Sequence, residues 1–167
     1  MQYKGINRMT REKILSSEEF KSMRSFTESD VVESICSLDS IGGLVRGVPH
    51  RFLCLVQKMG AISMKEEAIA ISLENLRPTE PRIEDSSMKK FHGNVCLIAA
   101  SLLYLRLSKR FDDYRPLTKS FLMDFRKIPV IDSQNNRTFM YLDVLADDLL
   151  NKNRIFNVHL GGASRTS

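Results

Sequence analysis

Residues 94–107 read NVCLIAASLLYLRL, and that run decides the fold. Only Asn94, Ser101 and Arg106 interrupt an apolar sequence that continues around every side of a helical wheel. A helix apolar all round is either the buried axis of a domain or a membrane span. Crossing a bilayer takes about 20 apolar residues, whereas runs of about 10–14 belong to core helices. Arg106, near the C-terminal end, points the same way. The run therefore predicts a buried central helix over about residues 94–110 of a chain without membrane contact.

Working outward toward the N-terminus, residues 51–59 (RFLCLVQKM) predict a second strongly apolar helix, closed by Gly60. Ser63-Met64-Lys65-Glu66 has the S-x-x-E form of a capping box and opens a shorter helix to about Leu73. Residues 75–87 (NLRPTEPRIEDSS) have two prolines, mixed charge and no period, so they read as a loop. Farther upstream, Thr27-Glu28-Ser29-Asp30 offers an N-cap with an acid at the capping-box position. Val31, Val32, Ile35, Cys36 and Leu38 follow at helical spacing, and Gly42-Gly43 is expected to end that helix through a left-handed cap. Gly47-Val48-Pro49 forces a turn. Residues 11–26 predict one or two short helices broken near Ser16-Ser17, and residues 1–10 a flexible N-terminus.

On the other side, residues 114–125 predict a helix entered through Pro116 near its first turn. The period then changes from helical to alternating. Residues 128–132 and 138–142 flank Ser133-Gln134-Asn135-Asn136-Arg137, where asparagine tolerates a left-handed turn, and together predict a β-hairpin over about 128–142. Pro129 is expected at an unpaired edge position. Asp143 is placed to cap a last helix over 144–153, with Leu145, Leu149 and Leu150 inward, and residues 161–167 form a disordered tail. The fold class is thus mainly α: one multi-helix domain over residues 11–160, with one small hairpin.

The chemistry read from residue types is sparse. The chain has 167 residues and a net charge of +5, enough for one domain with a real core and a mild basic bias. Three cysteines lie in apolar stretches without a C-x-x-C pair, which fits reduced core thiols. The three histidines lack the partner spacing of a zinc site. Asp112-Asp113 and Asp147-Asp148 are adjacent pairs that diverge on a helix and do not suit paired acid–base work. Gly42-Gly43-Leu44-Val45-Arg46-Gly47 lacks the Lys-Ser/Thr of a phosphate loop. No catalytic residue, metal site or cofactor follows. Arg106 in a buried helix needs a partner, with Asp124 the first choice and Asp143 the second. Lys109, Arg110, Arg126 and Lys127, interleaved with aromatics, form an alternative RNA-contacting set.

Three islands carry a family resemblance. Gly42-Gly43 with Phe52-Leu53-Cys54-Leu55 and Lys58-Met59, then Leu103-Tyr104-Leu105-Arg106-Leu107, then Asp124-Phe125-Arg126-Lys127-Ile128 occur in order. Together they resemble the glycine turn and FLCL-x-x-K-M helix, the LY-x-RL segment and the D-[YF]-R-K-I segment of the pre-mRNA-splicing factor 38 family. Lys119-Ser120 stands where the family has Glu-Pro, Asn94-Val95-Cys96 where it has F-K-Y, and the Arg/Ser-rich tail of many members is missing. The resemblance implies a non-enzymatic nuclear scaffold, monomeric outside the complex, that acts when the spliceosome is activated. Its implied partners are helical segments of other splicing proteins, a zinc-finger splicing protein and tri-snRNP components. Gly42, Gly43, Phe52, Lys58, Met59, Arg126 and Lys127 are the implied partner-binding residues, with Lys58 and Arg126-Lys127 rimming a groove floored by Phe52 and Met59.

Overall fold

Polar side chains set where the first helices begin. The Asn7 carboxamide accepts from Thr10 N–H at the start of α1 (Arg8–Ser16). The Ser17 hydroxyl accepts from Phe20 N–H at the start of α2 (Glu18–Lys21), which is the expected break near Ser16-Ser17. Thr27 and Asp30 form the expected capping box of α3 (Glu28–Cys36). Each such cap satisfies amides that the helix itself leaves open and is worth about 1 kcal/mol. The computed structural model describes residues 5–77 and 92–160. The expected tail at 161–167 and most of the expected loop at 75–87 lie outside the described residues, as do residues 1–4 of the N-terminus; within the rest of that N-terminus α1 already begins.

α3 does not run to a glycine cap. It stops at Cys36, and the chain extends into β1 (Ile41–Gly42). Neither Gly42 nor Gly43 has a positive φ. The left-handed pair is instead Arg46 (φ 48°) and Gly47 (φ 78°), which join β2 (Leu44–Val45) to β3 (Val48–Pro49) in a two-residue hairpin. α4 (Arg51–Ala61) begins where His50 Nδ1 accepts from Phe52 N–H, and it runs one residue past Gly60. The capping box expected at Ser63–Glu66 does not form: Lys65 occupies the N-cap of α5 (Glu66–Asn75) without a side-chain bond. Glu66 is drawn away to a buried hydrogen bond from the Ser108 hydroxyl, 2.6 Å.

α6 (His92–Leu107) contains the opening run. From Val95 to Leu107 every side chain except the half-buried Leu97 is at most 5% exposed. The helix packs against α3, α4 and α5, against α7 (Phe111–Lys119) and against α8 (Leu142–Asn151). Tyr104 anchors it to the turn between α4 and α5, its hydroxyl donating to Met64 O at 2.8 Å, and burial pushes that phenol up. α7 begins three residues earlier than expected and ends at Lys119, so Pro116 lies inside it. Asp112 and Asp113 suit its first turn, and Pro116 forfeits only one bond in so short a helix. Residues 120–124 continue as single turns, such as Phe121 N–H to Thr118 O, which keep Phe121 buried and mimic helical spacing.

The predicted hairpin is present as β4 (Lys127–Ile131) and β5 (Arg137–Tyr141), with Asn135 at φ 67° in its turn. It belongs to a larger sheet. β1 adds in parallel on the far side of β4, giving the order β1-β4-β5. Pro129 is therefore on the middle strand and not at an edge. Bonds from Leu142 N–H to Arg126 O and from Asp132 N–H to Asn136 O set the alternation and put Pro129 opposite Phe139 in a non-bonded pair. No donor is required of it toward β5.

α8 starts without the expected cap. Asp143 is already inside the helix, and its Oδ1 is buried with no hydrogen-bond partner among the described residues. The first amides of the helix are satisfied by backbone instead: Leu142 N–H donates to Arg126 O at 3.0 Å and Asp143 N–H to Asp124 O at 2.8 Å. Past α8, a hairpin of β6 (Arg154–Ile155) and β7 (Val158–His159) turns through Phe156 and Asn157, both at positive φ. Leu160 then bridges to Ile6, so the two ends of the described chain meet.

Candidate docking groove

The sequence of α5 places Ala68 and Ser72 one turn apart on an exposed face, with Ile69 and Leu73 turned inward. α3 does the same with Ser29 outward of Val31 and Ile35. The small side chains on these two helices leave the space over α6 between them unfilled. The result is a groove of about 720 Å³. Its floor is apolar: Val32 and Ile35 from α3, Met59 and Met64 around the α4–α5 turn, Ile69 from α5, and Leu97 from α6. Leu97 is the one residue of its helix from Val95 to Leu107 that is not buried, and it faces this space. Glu28 and Glu33 stand on one wall and Lys65 on the other. The Tyr104–Met64 hydrogen bond fixes the turn that forms its end. An apolar floor with flexible methionines between charged walls suits the apolar stripe of an amphipathic helix.

The residues expected at a partner surface do not assemble into one. Met59 lies on the groove floor. Phe52, 1% exposed, is core. Lys58 is only 9% exposed; its ammonium lies under the turn after α2, donating to Arg24 O at 3.4 Å and sitting 6.0 Å from the centre of the Phe20 ring. Lys58 was expected on the rim of a partner groove, and its ammonium is directed at these two groups. Arg126 is committed to Asp124, whose side chain is 1% exposed, with Nη2 to Oδ2 at 2.6 Å, and it also donates to Leu76 O at the end of α5. Among the described residues no hydrogen bond or ion pair joins the Lys58 neighbourhood to that of Arg126.

The glycines also serve the interior. A Cβ on Gly43 would lie 2.3 Å from Phe156 O, and one on Gly42 would lie 3.1 Å from both His50 Cγ and Ile131 O. Close backbone approach occurs at Gly43 as the residue type suggests, but the approaching backbone is the chain's own terminal hairpin.

The expected Arg106–Asp124 pair is replaced by two different arrangements. Arg106 Nε donates to Leu149 O at 2.9 Å and Nη2 to Lys152 O at 3.4 Å, so the cation sits at the C-terminus of α8. There it meets open carbonyls and the negative end of the helix dipole. The guanidinium also lies 5.1 Å from the Phe111 ring centre, and burial, followed by the charge of Arg115, pulls it below its usual value. Asp124 goes to Arg126. Spacing in the sequence had no means of showing that carbonyls at the end of α8 receive Arg106.

The alternative RNA set is split in the same manner. Arg110 pairs with Asp113 and Glu67 at the start of α5, while Arg126 is held at its end. The two are about 14 Å apart along that helix. Lys109 and Lys127 are exposed, Lys127 over the Tyr141 ring. Among the described residues, no group of three or more His, Cys, Asp or Glu is placed to hold a metal ion, and no helix is long and apolar enough to cross a membrane.

The profile of the PRP38 family matches residues 2–165. The chain is similar to pre-mRNA-splicing factor 38A of Xenopus laevis, 26% identical over 158 residues that cover 93% of this chain and 46% of that protein. The chain thus spans about half the length of the curated relative it matches. Its fold resembles that in the crystal structure of the Snu23-Prp38-MFAP1(217-258) complex of Chaetomium thermophilum, with a TM-score of 0.77, 23% identity, and coverage of 99% of this chain and 83% of that one.

Proposed function

This chain belongs to the PRP38 family, and from that premise we propose that it is a non-enzymatic scaffold of the spliceosome. It acts in the nucleus at the activation stage and binds helical segments of other splicing proteins. The observation that carries this reading is the groove between α3 and α5, with its apolar floor and charged walls. α6 serves as the rigid axis from which both walls are held. Support comes from the solved complex, in which the related Prp38 is combined with Snu23 and with a segment of MFAP1, residues 217–258. A short segment of a larger protein is the kind of partner a groove of this shape accepts. The corresponding partners here are a zinc-finger splicing protein and a helical segment of a second protein, recruited together with tri-snRNP components. Remodelling of RNA falls to a separate helicase.

Ala68→Arg together with Ser72→Arg tests the site. Both positions are exposed, so the melting temperature stays within a few degrees of wild type while the two long side chains obstruct the groove. Loss of captured splicing proteins is expected. Capture unchanged by the substitutions places the partners elsewhere.

A further inference from the structure

The groove does not account for the most exposed aromatic side chains among the described residues. Phe139 is 63% exposed, Phe125 61% and Tyr141 44%. The register explains how they come together. Lys127 pairs with Tyr141, Pro129 with Phe139 and Ile131 with Arg137, and alternation puts all of them on the face of the sheet opposite Ile128 and Val130, which are buried. Phe139 and Tyr141 are two residues apart on one strand, hence about 7 Å. Phe125 lies two residues ahead of β4.

Two cations flank the aromatic pair. Lys127 and Arg137 occupy opposite corners of the aromatic pair, the Lys127 ammonium 5.9 Å from the Tyr141 ring centre. Arg137 donates to a carbonyl, Asp39 O at 3.4 Å, and forms no ion pair among the described residues. Two of the carboxylates close in sequence have other partners. Asp124 is buried against Arg126, and Asp132 accepts from Gln134 N–H and Asn136 N–H in its own turn. Exposed rings on a sheet with flanking cations match what unpaired nucleotides require: π-faces for bases and positive charge for phosphates. A docked apolar peptide would have no use for cations at both corners.

We propose that the outer face of the β4–β5 sheet binds single-stranded RNA, with bases stacked on Phe139 and Tyr141 and phosphates met by Lys127 and Arg137. This surface is separate from the groove and from Arg110 and Arg126, whose charges are spent internally.

The test is fluorescence anisotropy of a labelled ten-nucleotide oligouridylate against the full chain across a salt series. Phe139→Ala and Tyr141→Ala each weaken binding by about 5- to 160-fold, the range for removing one base–aromatic stack. Phe139→Tyr and Tyr141→Phe keep a ring and stay within about twofold of wild type, which separates stacking from any loss of fold. Lys127→Ala reduces the slope of log affinity against log salt by about 0.7, the value for one phosphate on a single strand. A duplex of the same length binds more weakly than the single strand. The proposal is overturned by no measurable binding at low salt, by binding indifferent to both alanine variants, or by equal affinity for the duplex.

Discussion

Gly43 and Gly47 share a residue type for unrelated reasons, and their alanine variants separate those reasons. At Gly47 the backbone is left-handed with open space around the absent Cβ, so Gly47→Ala costs only the conformational penalty, about 1–2 kcal/mol. At Gly43 the conformation is ordinary but a Cβ would enter the Phe156 backbone at 2.3 Å, and backbone does not yield as a flexible side chain does. Gly43→Ala is therefore expected to cost about 3 kcal/mol or more and to loosen the β6–β7 hairpin. Urea denaturation gives the two costs, and hydrogen exchange at Leu44, whose amide donates to Phe156 O, reports the loosening. Arg126 supplies a second contrast. Arg126→Ala strands the Asp124 carboxylate in the interior and should cost roughly 3 kcal/mol, whereas Arg126→Ala with Asp124→Asn should recover part of that loss. If the single variant is neutral, the pair is not what holds the α7–β4 junction. That Arg106 and Asp124 would be buried was legible from their apolar surroundings. Their partners were not, because Arg106 meets the end of a helix more than forty positions away in the chain.

His50 shows how one side chain governs an element. Its Nδ1 accepts the Phe52 amide that opens α4, which requires the neutral imidazole at that nitrogen. Burial lowers its affinity for a proton below the ordinary value of 6.5, opposed by the charges of Asp39 and Glu19. Because the folded value is the lower one, the unfolded chain takes up the proton first as pH falls. The contribution of His50 to stability is therefore full above about pH 6.5 and declines through the acid range below it. His50→Asn keeps a cap acceptor without a titrating group. Chemical denaturation at pH 7.5 and pH 5.5 should show a smaller fall for the variant than for wild type; equal falls would remove His50 from the pH response. Elements built from local signals were legible in this manner: the Thr27–Asp30 capping box, the break at Ser17, and the hairpin through Asn135. Elements whose ends are set by distant backbone were not. α8 begins on the carbonyls of residues 124 and 126, so Asp143 is not needed as a cap, and β1 exists only because β4 lies beside it.

At the scale of the whole molecule, the apolar run that became α6 was readable, since a helix apolar on every side has to be enclosed. The groove was not readable. It arises from Ser29, Ala68 and Ser72 on elements far apart in sequence, and small residues alone carry no periodic signal. The family motifs instead drew attention to Lys58, Gly43 and Arg126, whose work is internal. The central claim, a spliceosomal scaffold that docks partner helices through the α3–α5 groove, is tested most directly by affinity capture of the tagged chain from its own cells, wild type beside Ala68→Arg with Ser72→Arg. The account predicts that splicing proteins are recovered with wild type and lost with the double variant at equal thermal stability. Recovery of no splicing proteins with the wild-type chain would contradict the scaffold, and full recovery with the double variant would contradict the groove.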